Sequence, residues 1–390
     1  MCGPDSYRTL PNLLNESYKT GQTAMNVQLS LEETYAEINP VRLNKNTKTA
    51  FVSIQRGCNN LCSFCIVPFT RGRERSRPIA SIVDEVKQLS DKGFKEVTLL
   101  GQNVNSYQDM SEQQFSMSSS TNELSKGFKS NYKRKSGGKL FSDLLDAVSL
   151  VNPEMRVRFT SPHPKDFPLN LLLLMKSRPN ICKTIHLPAQ SGSTSCLERM
   201  RRGYTREAYI ELVDKINEIL PGVSLTSDFI SGFCGETDQE HNDTISLLKL
   251  IKYNFCFMYP YSMREKTKAF YHLKDDVPLE IKSKRYTQIV DTFRQTAHEL
   301  NQLKIGQTHL VLVDTISKRS QSDLSGRNDL NNIVVFEKLK IPDVDNSNVL
   351  IEPQKGDYVA CKIVSGTSQS LRAIPLYKCN LNTFFLNKTV

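Results

Sequence analysis

Residues 51–65 have the sequence Phe51-Val52-Ser53-Ile54-Gln55-Arg56-Gly57-Cys58-Asn59-Asn60-Leu61-Cys62-Ser63-Phe64-Cys65. The first five residues are rich in β-branched and aromatic side chains, which indicates a strand. Three cysteines with C-x3-C-x2-C spacing follow on a loop, so their sulfur atoms can converge on one metal site. Barrel enzymes hold their chemistry on loops at the carboxyl ends of parallel strands. The stretch therefore predicts a strand that leads into a metal-binding loop.

The same strand-like texture recurs along the chain, and each run is followed by a segment with helical spacing. Parallel neighbours need helical crossovers of this length, so six strand–helix units in series predict an α/β fold with a parallel sheet. Six units favour an open barrel, two units short of the closed eight-fold form. A doubly wound sheet is the competing topology. The predicted strands cover residues 51–55, 96–101, 156–160, 184–187, 224–230 and 254–261.

The segments around this core, which is assigned to residues 49–303, have a different texture. Residues 1–48 hold one short helical candidate and a polar connector, too little to bury a core alone. Residues 108–139 are rich in Ser, Asn and Lys without apolar periodicity, which predicts a mobile surface insertion with little chemistry. Residues 304–380 hold strand candidates separated by Gly- and Asn-rich turns, typical of a small antiparallel barrel of the oligonucleotide-binding kind. Its predicted strands cover residues 309–313, 332–336 and 358–364.

The composition is that of an ordinary globular protein: 390 residues, 38% hydrophobic and 24% charged. No run of about 18 apolar residues is present to span a bilayer, so we expect no membrane partner. Lys and Arg number 51 against 41 Asp and Glu, and the net charge of +10 favours polyanionic partners. Ten cysteines without a preceding signal peptide indicate reduced intracellular thiols, metal ligands or both. The first residues show no targeting pattern from which a compartment can be read.

Three local cysteines leave the nature of the site open. A structural zinc site closes with four protein ligands and would need a distant partner. A four-iron four-sulfur cluster on three thiolates leaves one iron without a protein ligand, free to bind a substrate or cofactor. In the third alternative the cysteines are buried small hydrophobic residues. The distant candidates for a fourth zinc ligand are Cys182, Cys196, Cys234 and Cys256.

Cys58, Cys62, Phe64 and Cys65 match the signature of the radical S-adenosylmethionine (SAM) superfamily, which is C-x3-C-x-aromatic-C after the first strand of a six-unit barrel. More narrowly, the chain resembles the tRNA methylthiotransferases of the MiaB type, in particular their eukaryotic, mostly mitochondrial branch. The terminal barrel is similar to that family's RNA-binding TRAM domain. The segments that carry the resemblance are Arg71-Gly72-Arg73-Glu74-Arg75-Ser76-Arg77-Pro78, Leu100-Gly101-Gln102-Asn103-Val104-Asn105, Arg158-Phe159-Thr160-Ser161-Pro162-His163-Pro164, His186-Leu187-Pro188-Ala189-Gln190-Ser191-Gly192-Ser193, Asp228-Phe229-Ile230-Ser231-Gly232-Phe233-Cys234-Gly235-Glu236-Thr237, Tyr261-Ser262-Met263-Arg264 and Ser317-Lys318-Arg319-Ser320.

The resemblance implies radical chemistry. In that family the open iron of a [4Fe-4S] cluster chelates SAM, and reductive cleavage of SAM yields a 5′-deoxyadenosyl radical. The implied substrate is isopentenyladenosine just 3′ of the anticodon, which becomes its 2-methylthio derivative through sulfur insertion and methyl transfer from a second SAM. The implied partners are the tRNA anticodon stem-loop, SAM, an electron donor protein and a regulatory subunit of a cyclin-dependent kinase. The implied location is the mitochondrion.

The end of the second predicted strand is a candidate for SAM binding, because backbone and amide groups there would reach SAM and glycine permits close approach. A tight strand-to-loop turn is the structural alternative. An aromatic residue between the last two cysteines is a candidate to pack over the cluster or on an aromatic base. These candidates are Phe64, Gly101, Gln102 and Asn103.

Two groups of arginines predict contacts to RNA phosphates. The first is a dense run beside the cysteine loop, and the second follows the fourth predicted strand. A solvated or salt-bridged face is the alternative for both groups. The residues are Arg71, Arg73, Arg75 and Arg77 in the first group and Arg199, Arg201 and Arg202 in the second.

The resemblance also implies an amino-terminal domain whose own three cysteines hold a second [4Fe-4S] cluster, where sulfur is delivered. Gly3-Pro4-Asp5-Ser6-Tyr7-Arg8 and Leu10-Pro11 resemble the last residues of that domain, so residues 1–48 are assigned to its remnant and a linker. The ligands of the second cluster are then missing from this sequence, since Cys2 cannot replace three ligands. We expect the polypeptide as written to cleave SAM but to transfer little sulfur. A catalytically inactive kinase-regulatory or RNA-binding protein is the alternative function.

Overall fold

Six parallel strands with helical crossovers form the larger domain. They are β1 (Thr49–Ser53), β2 (Glu96–Leu100), β3 (Arg156–Phe159), β4 (Thr184–His186), β5 (Ser224–Ser231) and β6 (Phe255–Pro260). In space they follow the order of the sequence, as sheets of order β1-β2-β3 and β4-β5-β6 that a parallel bridge between Val157 and Ile181 joins. This order confirms the predicted open six-unit barrel, because a doubly wound sheet reverses its strand order at a switch point. The structure, a computed structural model, describes residues 1–30, 46–111, 127–130, 137–346 and 349–388.

The longer helices that connect the strands pack on this sheet because they bury an apolar stripe in the core that the strands share. The helix Ile79–Asp91 begins directly after Pro78 and buries Ile82; a buried aliphatic side chain of this kind contributes about 1.5–3 kcal/mol. Among the described residues, none of the helices has the length and apolar character needed to cross a membrane. The helices are Leu10–Thr20, Val67–Thr70, Ile79–Asp91, Phe141–Ser149, Leu169–Ser177, Thr194–Arg199, Arg206–Ile219, Asp238–Ile251, Lys268–His272, Leu279–Gln302 and Leu381–Lys388. Short antiparallel pairs join Gln55–Arg56 with Arg75–Ser76 and Gln108–Asp109 with Lys139–Leu140.

A small barrel follows the long helix Leu279–Gln302. Its strands are β7 (Thr308–Ile316), β8 (Asp323–Asn328), β9 (Ile333–Glu337), β10 (Tyr358–Gly366) and β11 (Ser370–Lys378), with a short hairpin of Ile341–Asp343 and Val349–Ile351. Parallel pairing of β9 with β11 closes the sheet, whose other pairings are antiparallel except for a short parallel contact of Ile341–Asp343 with β11. Val311, Val334 and Phe336 fill the interior. The predicted all-β barrel is therefore confirmed.

The small barrel sits against the amino-terminal ends of the larger barrel's strands. Arg156, the first residue of β3, donates to the carbonyl oxygens of Leu310 at 2.6 Å and Arg327 at 2.9 Å. Its guanidinium lies 5.1 Å from the centre of the Tyr358 ring, a cation–π contact. The Tyr358 hydroxyl in turn donates to the carbonyl of Lys95, just before β2, at 2.8 Å. The cysteine loop lies at the opposite, carboxyl-terminal end of the strands.

A cavity of about 480 Å³ lies inside the larger barrel, towards the amino-terminal ends of its strands, where the small barrel covers it. Strand residues that point inward line its walls, among them Phe51, His186 and Phe257. Phe51 and Phe257 are 63% and 48% exposed, although both are large apolar side chains. The barrel lumen is therefore hollow and partly aromatic.

The predicted insertion at residues 108–139 differs from a surface loop where the structure describes it. Residues 112–126 and 131–136 lie outside the described residues. Phe128 is 6% exposed and packs against Tyr204, with ring centroids 5.1 Å apart. A large aromatic side chain tends to be buried, so Phe128 itself indicated that part of this segment packs on the core. The polar composition of the surrounding residues led to the prediction of a surface loop instead.

Candidate metal centre

The cysteine loop begins at a glycine that other residues cannot replace without strain. Gly57 has a φ of +73°, and a β-carbon there would lie 2.2 Å from the carbonyl oxygen of Arg73. This close approach follows from the antiparallel pairing of Gln55–Arg56 with Arg75–Ser76, which folds the chain back on itself. The start of the loop is thereby fixed against the basic segment.

Ser63 fixes the second half of the loop. Its hydroxyl donates to the carbonyl of Arg199 at 2.7 Å, and its N–H donates to the carbonyl of Met200 at 2.9 Å. Its own carbonyl accepts from the N–H of Ala269 at 2.8 Å. These three bonds hold the second and third cysteines of the loop beside residues 199–202.

The three loop thiols lie close enough to interact electrostatically and are largely removed from water. Burial raises the pKa of Cys58 to about 12, and the neighbouring Cys62 adds to this increase. Burial raises the pKa of Cys65 to about 11, again with a contribution from Cys62. Without a metal, Cys58 and Cys65 are therefore protonated thiols at neutral pH, and metal binding must release their protons.

Two polar groups around the loop are placed for a buried anion. Asn60 is 6% exposed, and its side-chain Nδ2 has no acceptor among the described residues. Arg202 is 5% exposed and donates from Nη1 to Cys62 Sγ at 3.2 Å. Its other nitrogens donate to the Tyr204 hydroxyl at 3.0 Å and the Pro188 carbonyl at 2.9 Å. Three thiols, an unsatisfied amide and a buried cation fit a negatively charged, thiolate-ligated group such as an iron–sulfur cluster.

Among the described residues, no three His, Cys, Asp or Glu side chains, the loop cysteines included, are grouped closely enough to hold a metal ion, so the loop is not preformed for zinc or for a cluster. The distant cysteines offer no fourth zinc ligand beside the loop. Cys196 and Cys234 lie in an apolar cluster with Phe233. Cys182 lies beside Arg158, near the small barrel. These cysteines are packing residues in the described part of the chain.

The structure places Gly101 and Phe64 in packed surroundings near the loop. A β-carbon on Gly101 would lie 3.2 Å from Cγ1 of Val104 and 3.4 Å from Cβ of Gln55, so the chain packs tightly on itself there, and the approach of this backbone to SAM stays a prediction. Phe64 packs edge to face with Phe233, with ring centroids 6.4 Å apart. Gln102 is exposed at the end of β2.

The Asn103 amide has protein partners on the neighbouring strand end, and its contact to SAM stays a prediction. Its Nδ2 donates to Asp166 Oδ2 at 2.9 Å, and its Oδ1 accepts from the N–H of His163 at 3.0 Å. The side chain thus joins the ends of β2 and β3 and is occupied by protein contacts. Sequence spacing could not reveal these partners, because they follow a different strand.

The first basic group divides into an inward and an outward pair. Arg75 is buried and forms an ion pair with Asp5 at 3.1 Å. Arg77 is buried and forms an ion pair with Glu85 at 2.8 Å. The structure differs here from the predicted RNA-facing run, because both charges are neutralised inside the fold.

The outward pair of that run is Arg71 and Arg73, which are exposed beside the cysteine loop. In the second group, Arg199 is bound to Glu240 at 2.6 Å. Arg201 is half-buried with a φ of +57°. The third member of this group contacts the second cysteine, as described above, rather than solvent.

A polar pair inside the barrel joins His186 and Asp228, two residues of the segments quoted above whose contact the sequence did not predict. His186 Nε2 lies 3.3 Å from Asp228 Oδ1, and His186 Nδ1 lies 2.8 Å from Thr226 Oγ1. The parallel pairing of β4 with β5 places His186 opposite Thr226, so these side chains are neighbours on one face of the sheet. The available signal was the polar residues at alternate positions of β5, because alternation places them on one face.

The barrel, the thiol loop and the second barrel together define a class of protein, in which a radical SAM domain is joined to a TRAM domain. Residues 52–248 match the Radical SAM superfamily, and residues 302–376 match the TRAM domain. The first match implies an iron–sulfur cluster that binds SAM, and the second implies RNA binding.

Curated relatives narrow the class. The chain is 56% identical to the mitochondrial tRNA methylthiotransferase CDK5RAP1 of Rattus norvegicus, covering 99% of this chain and 66% of that protein. It is also 56% identical to the Homo sapiens protein of the same name, covering 98% and 65%. It is 46% identical to the tRNA-2-methylthio-N(6)-dimethylallyladenosine synthase of Chloroherpeton thalassium, covering 95% and 73%. The chain belongs to this family of tRNA methylthiotransferases, and it spans just under two thirds of the length of the mammalian relatives.

Proposed function

We propose that this chain provides the radical SAM and RNA-binding parts of a tRNA methylthiotransferase. The proposed substrate is isopentenyladenosine next to the anticodon, in mitochondrial tRNAs, and the product is its 2-methylthio derivative. The observation that carries the proposal is a loop of three thiols at the carboxyl end of β1, beside a buried guanidinium, in a chain with a TRAM barrel. The names of the relatives, which state this activity and product, support it.

The chain's own residues would hold the cofactor and orient it. Cys58, Cys62 and Cys65 would ligate a [4Fe-4S] cluster, which when bound supplies an open iron for SAM and the electron for cleavage of the sulfonium bond. The unpaired Nδ2 of Asn60 would donate to this buried anionic group. The backbone of Gly101, at the end of β2, is the proposed contact to SAM, and its lack of a side chain avoids crowding against Val104 and Gln55.

The barrel lumen is the proposed site of the adenine base. Phe257 and Tyr259 on β6 are 48% and 53% exposed, and aromatic faces of this kind stack on bases. Burial raises the pKa of Tyr259, and the nearby carboxylate of Asp228 raises it further. The Asp228 carboxylate is therefore placed to accept a hydrogen bond from the amine of a stacked base.

The test of the proposed chemistry is formation of 5′-deoxyadenosine by anaerobically reconstituted protein. The full chain would be loaded with iron and sulfide, reduced with dithionite and supplied with SAM and an anticodon stem-loop that contains isopentenyladenosine. We expect Cys58→Ala to abolish both the iron–sulfur absorbance and 5′-deoxyadenosine, whereas Cys361→Ala, a buried cysteine of the TRAM barrel, preserves them. Zinc without iron in the wild-type loop, or equal product from Cys58→Ala, would overturn the proposal.

Exposed arginines beside the loop are the proposed contacts to RNA phosphates. Replacing Arg71 and Arg73 together by glutamine is expected to weaken stem-loop binding and to reduce the slope of log K against log salt by roughly 1.5. Arg178→Gln is the matched control, since Arg178 is a surface arginine paired with Asp146. An unchanged salt slope in the double variant would remove these two residues from the interface.

The electron donor protein, the kinase regulatory subunit and the second cluster stay predictions of the family resemblance. The catalytically inactive alternative is not proposed, because the names of the relatives support an enzyme.

A further inference from the structure

Arg202 is buried in a way that calls for a nearby negative charge. Moving a guanidinium out of water is costly unless an anion compensates it. Two other buried arginines meet that requirement with carboxylates, Arg77 with Glu85 and Arg285 with Glu236. Arg156, also buried, is instead held by backbone carbonyls and the Tyr358 ring and donates to no thiol within the described ranges. No carboxylate forms an ion pair with Arg202 among the described residues, and the guanidinium bonds a carbonyl, a phenol and a thiol.

Arg202 has three hydrogen-bond partners: two neutral groups hold its guanidinium in place, and the third is the sulfur of Cys62. The carbonyl of Pro188 and the hydroxyl of Tyr204 are neutral, and they hold Nη2 and Nε at 2.9 and 3.0 Å. The Tyr204 ring lies 5.5 Å from the guanidinium carbon and so restricts it further. Nη1 is left to reach Cys62 Sγ at 3.2 Å. Of these three partners of Arg202, only the sulfur of Cys62 becomes an anion when a metal binds.

Arg202 and the cysteine loop are also fixed relative to each other. Ser63, next to Cys62, bonds the carbonyls of Arg199 and Met200, so the loop and the segment that carries Arg202 move together. The fold thus holds the guanidinium and the sulfur next to each other.

We propose that Arg202 is a positioning residue that supplies the counter-charge of the iron–sulfur cluster and favours its reduced state. One-electron reduction takes the core from [4Fe-4S]2+ to [4Fe-4S]+, with the electron coming from an external one-electron donor. The reduced cluster is more negative by one charge, so a fixed cation beside one of its thiolates stabilises it more than the oxidised cluster. This inference rests on the cluster of the proposed function and adds a residue that the three-cysteine signature does not contain.

The test is a reductive titration of the reconstituted full chain, without SAM or RNA, monitored by electron paramagnetic resonance. Arg202→Gln keeps hydrogen-bond donors but removes the charge, and we expect at least about a tenfold fall in the equilibrium constant for reduction, which is a shift of about 59 mV to more negative potential. Arg202→Lys keeps the charge and is expected to stay close to the wild-type potential. Arg206→Gln is the control: it removes a positive charge four residues away, where the guanidinium bonds the carbonyls of Gly192 and Asp243.

Each result has a defined meaning. A fully loaded Arg202→Gln protein with the wild-type potential, or a Lys variant shifted as far as the Gln variant, overturns the inference. If the Gln variant folds, as judged by circular dichroism, but fails to load while the Lys variant loads, the counter-charge role is supported. If neither variant loads, the guanidinium acts through its shape, and the inference is wrong. Failure of the wild-type chain to bind iron would instead overturn the proposed function itself, and this inference with it.

Discussion

Arg158→Met is the sharpest test of how the two barrels are joined. Arg158 Nε lies 2.9 Å from Glu96 Oε2 on the neighbouring strand, and the two side chains are 5% and 7% exposed. The two terminal nitrogens of Arg158 donate to the small barrel, to the carbonyls of Asn328 at 2.7 Å and Asp329 at 2.9 Å. One side chain therefore neutralises the charge of a buried carboxylate and holds the second domain.

The expected cost follows from what the substitution leaves behind. Removing one partner of a buried ion pair costs about 3–5 kcal/mol, because the other charge remains buried without compensation. The two lost hydrogen bonds to carbonyls belong to the same network, so their cost does not simply add. We expect Arg158→Met to lower the free energy of unfolding by about 3–5 kcal/mol. In the double variant with Glu96→Gln the stranded charge is gone, and a coupling energy of about 0.5–3 kcal/mol should appear.

Urea unfolding of the four proteins in the cycle, followed by circular dichroism, measures these quantities. Limited proteolysis between the helix Leu279–Gln302 and β7 reports whether the small barrel has been released. Arg178→Met is the matched control, since its pair with Asp146 is on the surface and should contribute less than about 1 kcal/mol. The reasoning is refuted if Arg158→Met costs no more than the control, or if the cycle shows no coupling.

Three further substitutions have defined outcomes. Gly57→Ala places a β-carbon 2.2 Å from the Arg73 carbonyl oxygen, which should lower the free energy of unfolding by on the order of 1–3 kcal/mol. The variant should also take up less iron per chain, and uptake equal to that of the wild type would contradict the assigned loop geometry. Burial lowers the pKa of Lys304 from 10.5 to about 8, so the unfolded state binds more protons between these values and wild-type stability should rise with pH there, by on the order of 3 kcal/mol. Lys304→Met should remove this increase in urea titrations at pH 8 and pH 10.5, and an identical slope in both proteins would contradict the burial. Tyr358→Phe removes the hydroxyl that bonds two carbonyls of the larger barrel and should cost about 1 kcal/mol in the same assay; no change would mean that water replaces both bonds.

The barrel was predictable because its strands carry local signals. The segment predicted at 224–230 forms β5, Ser224–Ser231, and the segment predicted at 96–101 forms β2, Glu96–Leu100. Both are runs with buried side chains on each face, which parallel sheets covered by helices require. The order of the strands then followed from the helical length of each connection.

The roles of individual arginines were not predictable in the same way. Arg73 and Arg75 are two residues apart in one basic run, yet the first is exposed and the second is buried against Asp5. The partner of each buried arginine comes from a different segment, and spacing within the run contains no information about it. Arg202 shows the same limit: sequence alone grouped it with phosphate-binding residues, whereas the fold turns it toward a thiol.

The placement of the two barrels limits how an RNA can engage both. The TRAM barrel contacts the amino-terminal ends of the strands, through Arg156 and Tyr358, and the cysteine loop lies at the carboxyl-terminal ends. Since a strand rises about 3.3 Å per residue, strands of this length separate the two ends by about 10–25 Å. An RNA that touches the TRAM barrel and presents a base to the loop must therefore run along the side of the larger barrel. Among the described residues, β1 and β6 are edge strands that do not pair with each other, and Phe51 and Phe257 on them are exposed. Under the proposed function, a base would enter the lumen laterally between these two strands, a path that a closed eight-stranded barrel would not offer.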